Sequence, residues 1–454
     1  MLKNQKSALL FLFVLFSVWS EASAQTKEGY RYLSLQQAVD QALETNTNVL
    51  NAELDNEIAK KQISEFLSSG LPQLSATLDF NKNLTLRKQF IPANSFDPTG
   101  DPDEVIALAF GVPNNSYGML QFEQMLFDGS FFVGLEAART FTELTRKQHV
   151  LSKIEVVEGV TKAYYTVLIN YKMAELVERN FARLDTLLRD TKLMYDNGFA
   201  EKLDVDRIKV QYNNTKVEYD NMQNLLSFSE MLLNYHMGIE LETTLMLTDD
   251  IENLGLEYEL EKTNTFEASH RVEYTSLQTQ QRLNEIDLKN IRSQYIPKLN
   301  FYANYGGSNG TLATGDMFNV GDWRSFSAIG INAKMTLFDG FKKRSVAQQR
   351  KFKAKQLEYD LSTLYGLIAL EVTDSKNKYN KSIDNMMAQK ENMDLALSVY
   401  NATDTKYKSG VGSNSEVLDA DASLKQAQTN YFNALYSALL SKVELKKALG
   451  ELYK

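Results

Sequence analysis

The tetrapeptide Leu-Phe-Asp-Gly stands at 126–129 and again at 337–340, 211 positions later. Each copy closes an alternating stretch and opens a long polar-apolar run. Two copies in one local context read as an internal duplication, so the repeat has to be read before any search for an active site.

The repeat can be followed in both halves. In the first, a helical pattern from Leu33 to Leu67 starts at Ser34 and stops before Pro72. Leu74, Ala76, Leu78 and Phe80 then alternate with Ser75, Thr77, Asp79 and Asn81, the period of a strand with one apolar face. A polar, Gly- and Pro-bearing loop leads to about Tyr117, and GMLQFEQMLF alternates again up to the motif. In the second half, Val272–Gln294 reads as helix and Pro297 stands where Pro72 stood. Leu299, Phe301, Ala303 and Tyr305 alternate with polar residues, a Gly-rich loop follows, and SAIGINAKMTLF alternates up to the second motif.

After each motif comes a helix of about 70 residues, roughly 100 Å at 1.5 Å per residue. The first carries Ile154, Val157, Val160, Tyr164, Val167, Tyr171, Ala174, Val177, Phe181, Leu184 and Leu188 at spacings of three and four, a coiled-coil stripe. Only six prolines occur, and 114–296 and 298–454 contain none, which permits helices of that length. The helices break at Gly198 and Gly410, 212 positions apart, where a left-handed glycine is the usual ending. Ser413 with Glu416 three residues on fits a capping box for the last helix.

The boundaries expected are therefore these. The first repeat covers 25–240, with strands near 73–83 and 117–128 and helices at 130–197 and 204–237. A linker follows at 241–265. The second repeat covers 266–454, with strands near 297–306 and 325–339 and helices at 341–409 and 416–449. Residues 1–24 read as a secretory signal: Lys3 and Lys6, an apolar run Ala8–Val18, and Ala22-Ser23-Ala24 for cleavage. Losing two lysines and Glu21 with it takes the formal charge from −9 to −10, which argues against a nucleic-acid partner.

No stretch has eighteen apolar residues, so a membrane could be entered only as a closed β-barrel. The strands have the length and single apolar face such a barrel needs. Four strands cannot close a useful lumen, and open edges are not tolerated in lipid. Two chains would make eight strands, too narrow for all but small solutes, and three would make twelve. The competing interpretation is a structural coiled-coil envelope protein without a pore, which leaves the export signal and the two-faced strands unexplained. Enzyme chemistry finds no foothold. His149, His236 and His270 are scattered, there is no cysteine, and no HExxH, G-x-S-x-G or Walker loop occurs. The acidic run SFDPTGDPDE lacks calcium-loop spacing. No cofactor and no metal is expected.

The duplicated strand-LFDG-long helix, the Y-x-x-G turns and the SEVLDA start of the last helix resemble the TolC-type outer-membrane efflux proteins. The resemblance spans about Leu33–Leu452. It implies an α+β membrane protein acting as a homotrimer, with four strands per chain in a twelve-stranded outer-membrane β-barrel continuous with a periplasmic α-helical coiled-coil barrel. It further implies an exit duct of a tripartite efflux or type I secretion system, set in outer-membrane lipid. The partners implied are a periplasmic adaptor (membrane fusion) protein and an inner-membrane RND-type or ABC-type transporter.

Site residues follow from the same likeness. Glu416 and Asp419 match an acidic pair facing the pore, three copies of which would form rings at the periplasmic gate. Asp204 and Tyr407 match residues of the closing network, and Gly198 and Gly410 fit adaptor docking at the helix tips. Gly412 stands where the family's best-studied pattern has an arginine, so closure here is expected to rest on other contacts. Both motif copies are expected to be structural. Leu126, Phe127, Leu337 and Phe338 would anchor the barrel's last turn, Asp128 and Asp339 would cap the helices, and Gly129 and Gly340 would permit a tight bend. Pro72 and Pro297 mark the helix-to-strand junctions. Phe301, Tyr302, Tyr305, Trp323 and Phe326 are candidate girdle aromatics.

Overall fold

A computed structural model describes residues 31–95, 99, 101–251, 256 and 267–453. The signal segment and much of the expected linker lie outside the described residues. Packing divides the chain into two units, one of residues 1–47, 156–262 and 376–445, the other of 48–155, 263–375 and 446–454.

The elements run β1 (Arg31–Leu33), α1 (Leu35–Thr45), α2 (Thr47–Ser68), β2 (Gln73–Lys82), β3 (Lys88–Pro92), β4 (Val105–Ala109), β5 (Asn114–Phe127), α3 (Gly129–Asp196) and α4 (Lys202–Met237). They continue with β6 (Leu245–Leu247), α5 (Val272–Ser293), β7 (Lys298–Thr311), β8 (Arg324–Lys334), α6 (Lys342–Lys408) and α7 (Asn414–Ala448). Among the described residues no helix is long and apolar enough to cross a membrane.

In the second unit, β2, β5, β7 and β8 form one antiparallel sheet in the order β2-β5-β7-β8. Its register lines up apolar rows. Leu74, Phe122, Ala303 and Ile329 stand across from one another on one face, and Phe301 pairs with Ile331 beside them. The other face carries Ser75–Gln121–Asn304 and Gln73–Glu123–Tyr302. Leu74, Leu78, Ile329 and Ile331 are each more than 60% exposed, so the apolar face is uncovered by the chain itself. Among the described residues, β2 and β8 each leave one edge of the sheet unpaired.

The two motif copies differ, and the sheet explains why. β5 is an interior strand, so its ladder reaches Phe127, opposite Leu299. β8 is an edge strand whose only partner, β7, starts at Lys298 just after Pro297, which has no N–H to give. The ladder ends at Lys334, five residues short of the expected 339. Leu337 and Phe338 lie outside the strand, 89% and 73% exposed in the single chain. The aspartates play one role in both copies. Asp128 Oδ1 accepts from the Ser130 N–H at 2.8 Å, and Asp339 Oδ2 from that of Lys343 at 3.0 Å. The glycines do not. Gly340 turns the chain at φ +65°, whereas Gly129 is already the first residue of α3, packed on Ser293.

Three further expectations need correction. The helix read as continuous from Leu33 to Leu67 is two. Asn46 turns extended, accepts no further helical turn, and donates from Nδ2 to the His236 carbonyl at 2.8 Å. The loop after β2 holds a hairpin, β3–β4, with Phe90 opposite Ala107. Of the candidate girdle aromatics, Tyr302 and Phe326 take the polar face, whereas Phe301 and Tyr305 stand on the apolar rows and Trp323 packs there over Gly118 and Gly307 beside Phe80.

In the first unit the coiled-coil stripe of α3 is the core. Val157, Val160, Tyr164, Val167, Ala174, Val177 and Leu184 are all buried, but Tyr171 is 46% exposed. A parallel pair, β1 with β6, escaped the sequence reading. Asp249 ties it down, accepting from the Leu35 N–H at 2.7 Å and from the Tyr164 hydroxyl at 2.8 Å. Burial, and then that carboxylate, drive the Tyr164 hydroxyl's pKa far up.

Candidate functional site

The two helix-hairpin turns, α3 to α4 and α6 to α7, meet in the first unit. Each helix ends on a left-handed glycine, Gly198 at φ +76° and Gly410 at φ +75°. Phe199 N–H returns to the Met194 carbonyl and Val411 N–H to that of Lys406, the 6→1 bond that closes a helix end. A side chain at either glycine would be strained, which accounts for the repeated turn. Phe199 and Val411, next in sequence, are 85% and 81% exposed.

The following helices start on their own side chains. The Glu201 N–H donates to Asp204 Oδ2 at 3.4 Å, and the Glu416 N–H to Ser413 Oγ at 3.3 Å. Asp204 also accepts from Asn414 Nδ2, at 3.2 Å on its side chain and 3.3 Å on its carbonyl, which links one turn to the other. Tyr407 reaches Thr191 through its hydroxyl at 3.3 Å. Asp204, Tyr407 and Gly410 thus border one cleft of about 730 Å³, with Arg207 and Gly412 on its wall.

Glu416 and Asp419 are placed elsewhere. Both are exposed on α7, and the spacing of three and four continues through Ser423, Gln426, Asn430, Asn433 and Ser437, all polar and exposed. The stripe is uncharged beyond Asp419, so the acidic pair is the only charge along it.

The sequence reading missed the group directly behind this stripe. Asp421 is 2% exposed and accepts from Arg183, whose Nε lies 3.0 Å from Oδ1 and whose Nη2 also contacts it. Lys425 stands 3.2 Å from its other oxygen and donates to Thr215 Oγ1 at 2.9 Å. The Arg183 guanidinium stacks 4.5 Å from the ring centre of Tyr400, which belongs to the cluster of Val417, Ala420 and Leu424. Burial pushes the Tyr400 hydroxyl up to about 12. A periodic signal was present: Val417, Ala420, Asp421 and Leu424 share one helical face, which puts a carboxylate among core residues.

Comparison with known proteins agrees with this architecture. The family model described as outer membrane efflux protein matches residues 38–233 and 267–451. The outer membrane protein TolC of Vibrio cholerae is 24% identical over 452 residues, covering 98% of this chain and 95% of that protein. The probable efflux pump outer membrane protein TtgC of Pseudomonas putida is 24% identical, covering 94% and 86%. Among solved structures, CusC superposes with a TM-score of 0.73 at 15% identity, covering 91% of each chain, which establishes the shared fold. The chain belongs to the outer membrane efflux protein family.

Proposed function

We propose that this protein is the outer-membrane exit duct of a tripartite efflux or type I secretion system, assembled as a homotrimer. The observation that carries the reading is a four-stranded sheet with an uncovered apolar face and two unpaired edges, followed by helices of 68 and 67 residues. Water disfavours the bare apolar face, which lipid would cover, and lipid does not tolerate the open edges of a lone copy. Three copies joined edge to edge give twelve strands, enough for a lumen. The helices carry a seam for the same assembly: Leu203, Val210 and Val217 on α4, seven residues apart, and Phe352 and Tyr359 on α6 are 53–70% exposed.

In this reading the chain is a conduit and catalyses nothing. The turns at Gly198 and Gly410 receive a periplasmic adaptor, backed by an inner-membrane RND-type or ABC-type transporter. Asp204 and Tyr407 help to hold the aperture, and Glu416 and Asp419 line it, so three copies of each attract cations and bind multivalent ones.

The chain contains no cysteine, so introduced pairs report cleanly. Single cysteines scanned along β2, paired with others along β8, are expected to form disulfide-linked dimers and trimers under oxidation. Cross-linking only within one chain, or none at any register, would reject the closed barrel.

A further inference from the structure

The exposed polar stripe of α7 is fixed in place by its buried side. On that side the strongest tie is Asp421, two turns beyond the first residue of α7. Its contacts run to a different hairpin: Arg183 belongs to α3 and Thr215, reached through Lys425, to α4. Tyr400 of α6 stacks on the same Arg183. One buried network therefore touches all four helices of the two hairpins.

The other ties between the hairpins are of a different kind. Asn414 to Asp204 and Thr191 to Tyr407 lie at 3.2–3.3 Å and pair no opposite charges. Farther along α3, Thr166 meets the Tyr436 hydroxyl at 2.9 Å, and the Lys162–Glu444 ion pair, at 3.5 Å, is open to water. Neutral or part-exposed hydrogen bonds exchange readily with water. A buried carboxylate cannot, because separating it from its cations leaves an uncompensated charge in the core. A displacement of α7 away from α3 and α4 has to break the Asp421 tie.

We propose that Arg183 and Asp421, with Lys425, are positioning residues for the aperture: they latch the α6–α7 hairpin to the α3–α4 hairpin and so set where Glu416 and Asp419 stand. The inference rests on the duct reading above. Neither residue touches the conduit; each acts through the helix that bears the acidic pair.

The test is single-channel conductance of the purified full-length protein in planar bilayers, with half-blocking concentration of hexaamminecobalt(III) as a second readout. Asp421→Asn and Arg183→Gln are each expected to raise conductance several-fold and to shift the blocking concentration. The double variant should add nothing beyond either single, since both cut one tie. Trimer yield on detergent gels verifies assembly for each variant. If Asp421→Asn fails to assemble, Arg183→Lys, which keeps the charge and loses the fork, is measured in the same way and should raise conductance in part. Conducting variants with wild-type conductance and block would overturn the latch while leaving the duct intact. A wild-type protein that never conducts would overturn the duct reading itself.

Discussion

Arg271 is a heavily engaged charge in the second unit. At 6% exposure it donates to Glu273, to Glu371 at 3.0 Å and to the Ala448 carbonyl at 3.0 Å, joining the start of α5, the middle of α6 and the end of α7. Burial alone would raise the Glu273 carboxyl, but the hydrogen bonds and charge of Arg271 outweigh it and hold the group below its usual range. A depressed carboxyl stabilises the fold above its unfolded value, about 4.3, and loses that contribution as pH falls through the folded value. Arg271→Met is expected to cost about 3 kcal/mol near neutral pH, seen as a lowered melting midpoint. It should also flatten the loss of stability below about pH 4 that the wild type shows. At this scale the sequence was informative where a residue's role is local. Gly198 and Gly410 could be read as helix ends because the conformation they adopt belongs to glycine. The pairs Arg183–Asp421 and Arg271–Glu371 could not be read from sequence, because the partners are 238 and 100 residues apart and nothing in a single chain specifies which buried charges meet.

At the scale of elements, periodicity was a good guide to type and a poor one to extent. Alternation marked β2, β5, β7 and β8 because one face is apolar. It did not mark where β8 stops, since Met335 and Leu337 keep the pattern going after the neighbouring strand has ended at Lys298. Strand length is a property of the pair, not of the strand. The short β1–β6 ladder was missed for a related reason: three residues are too few to show a period. The two faces of β5 give a direct prediction. Leu120 stands on the apolar row with Ala76 and Tyr305, and Gln121, its neighbour, on the opposite face with Ser75 and Asn304. Leu120→Arg is expected to destabilise the inserted protein by about 2–4 kcal/mol, whereas Gln121→Arg, facing the lumen, should be tolerated. Heat-modifiable migration of the outer-membrane fraction distinguishes them, and equal loss in both would contradict the assignment of faces.

For the whole molecule, the duplication organises the fold, and the differences between copies are what assembly requires. One motif feeds an interior strand, the other an edge strand whose outer side the proposed assembly would pair with another chain. The sheet's open edges, its bare apolar face and the exposed seams of α4 and α6 are all surfaces that a single copy leaves unsatisfied. The proposed trimer, in which each chain is a third of a closed object, would satisfy all of them at once. The proposed function rests on an aperture lined by the exposed stripe of α7, whose only charges are Glu416 and Asp419. Conductance in planar bilayers, titrated with a trivalent cation for the wild type and the Glu416→Gln/Asp419→Asn double variant, tests that account most directly. A small cation-selective conductance that is blocked in the wild type and far less so in the variant is the expected result. Equal block in both would remove the acidic pair from the aperture, and a protein that neither inserts nor conducts would contradict the duct altogether.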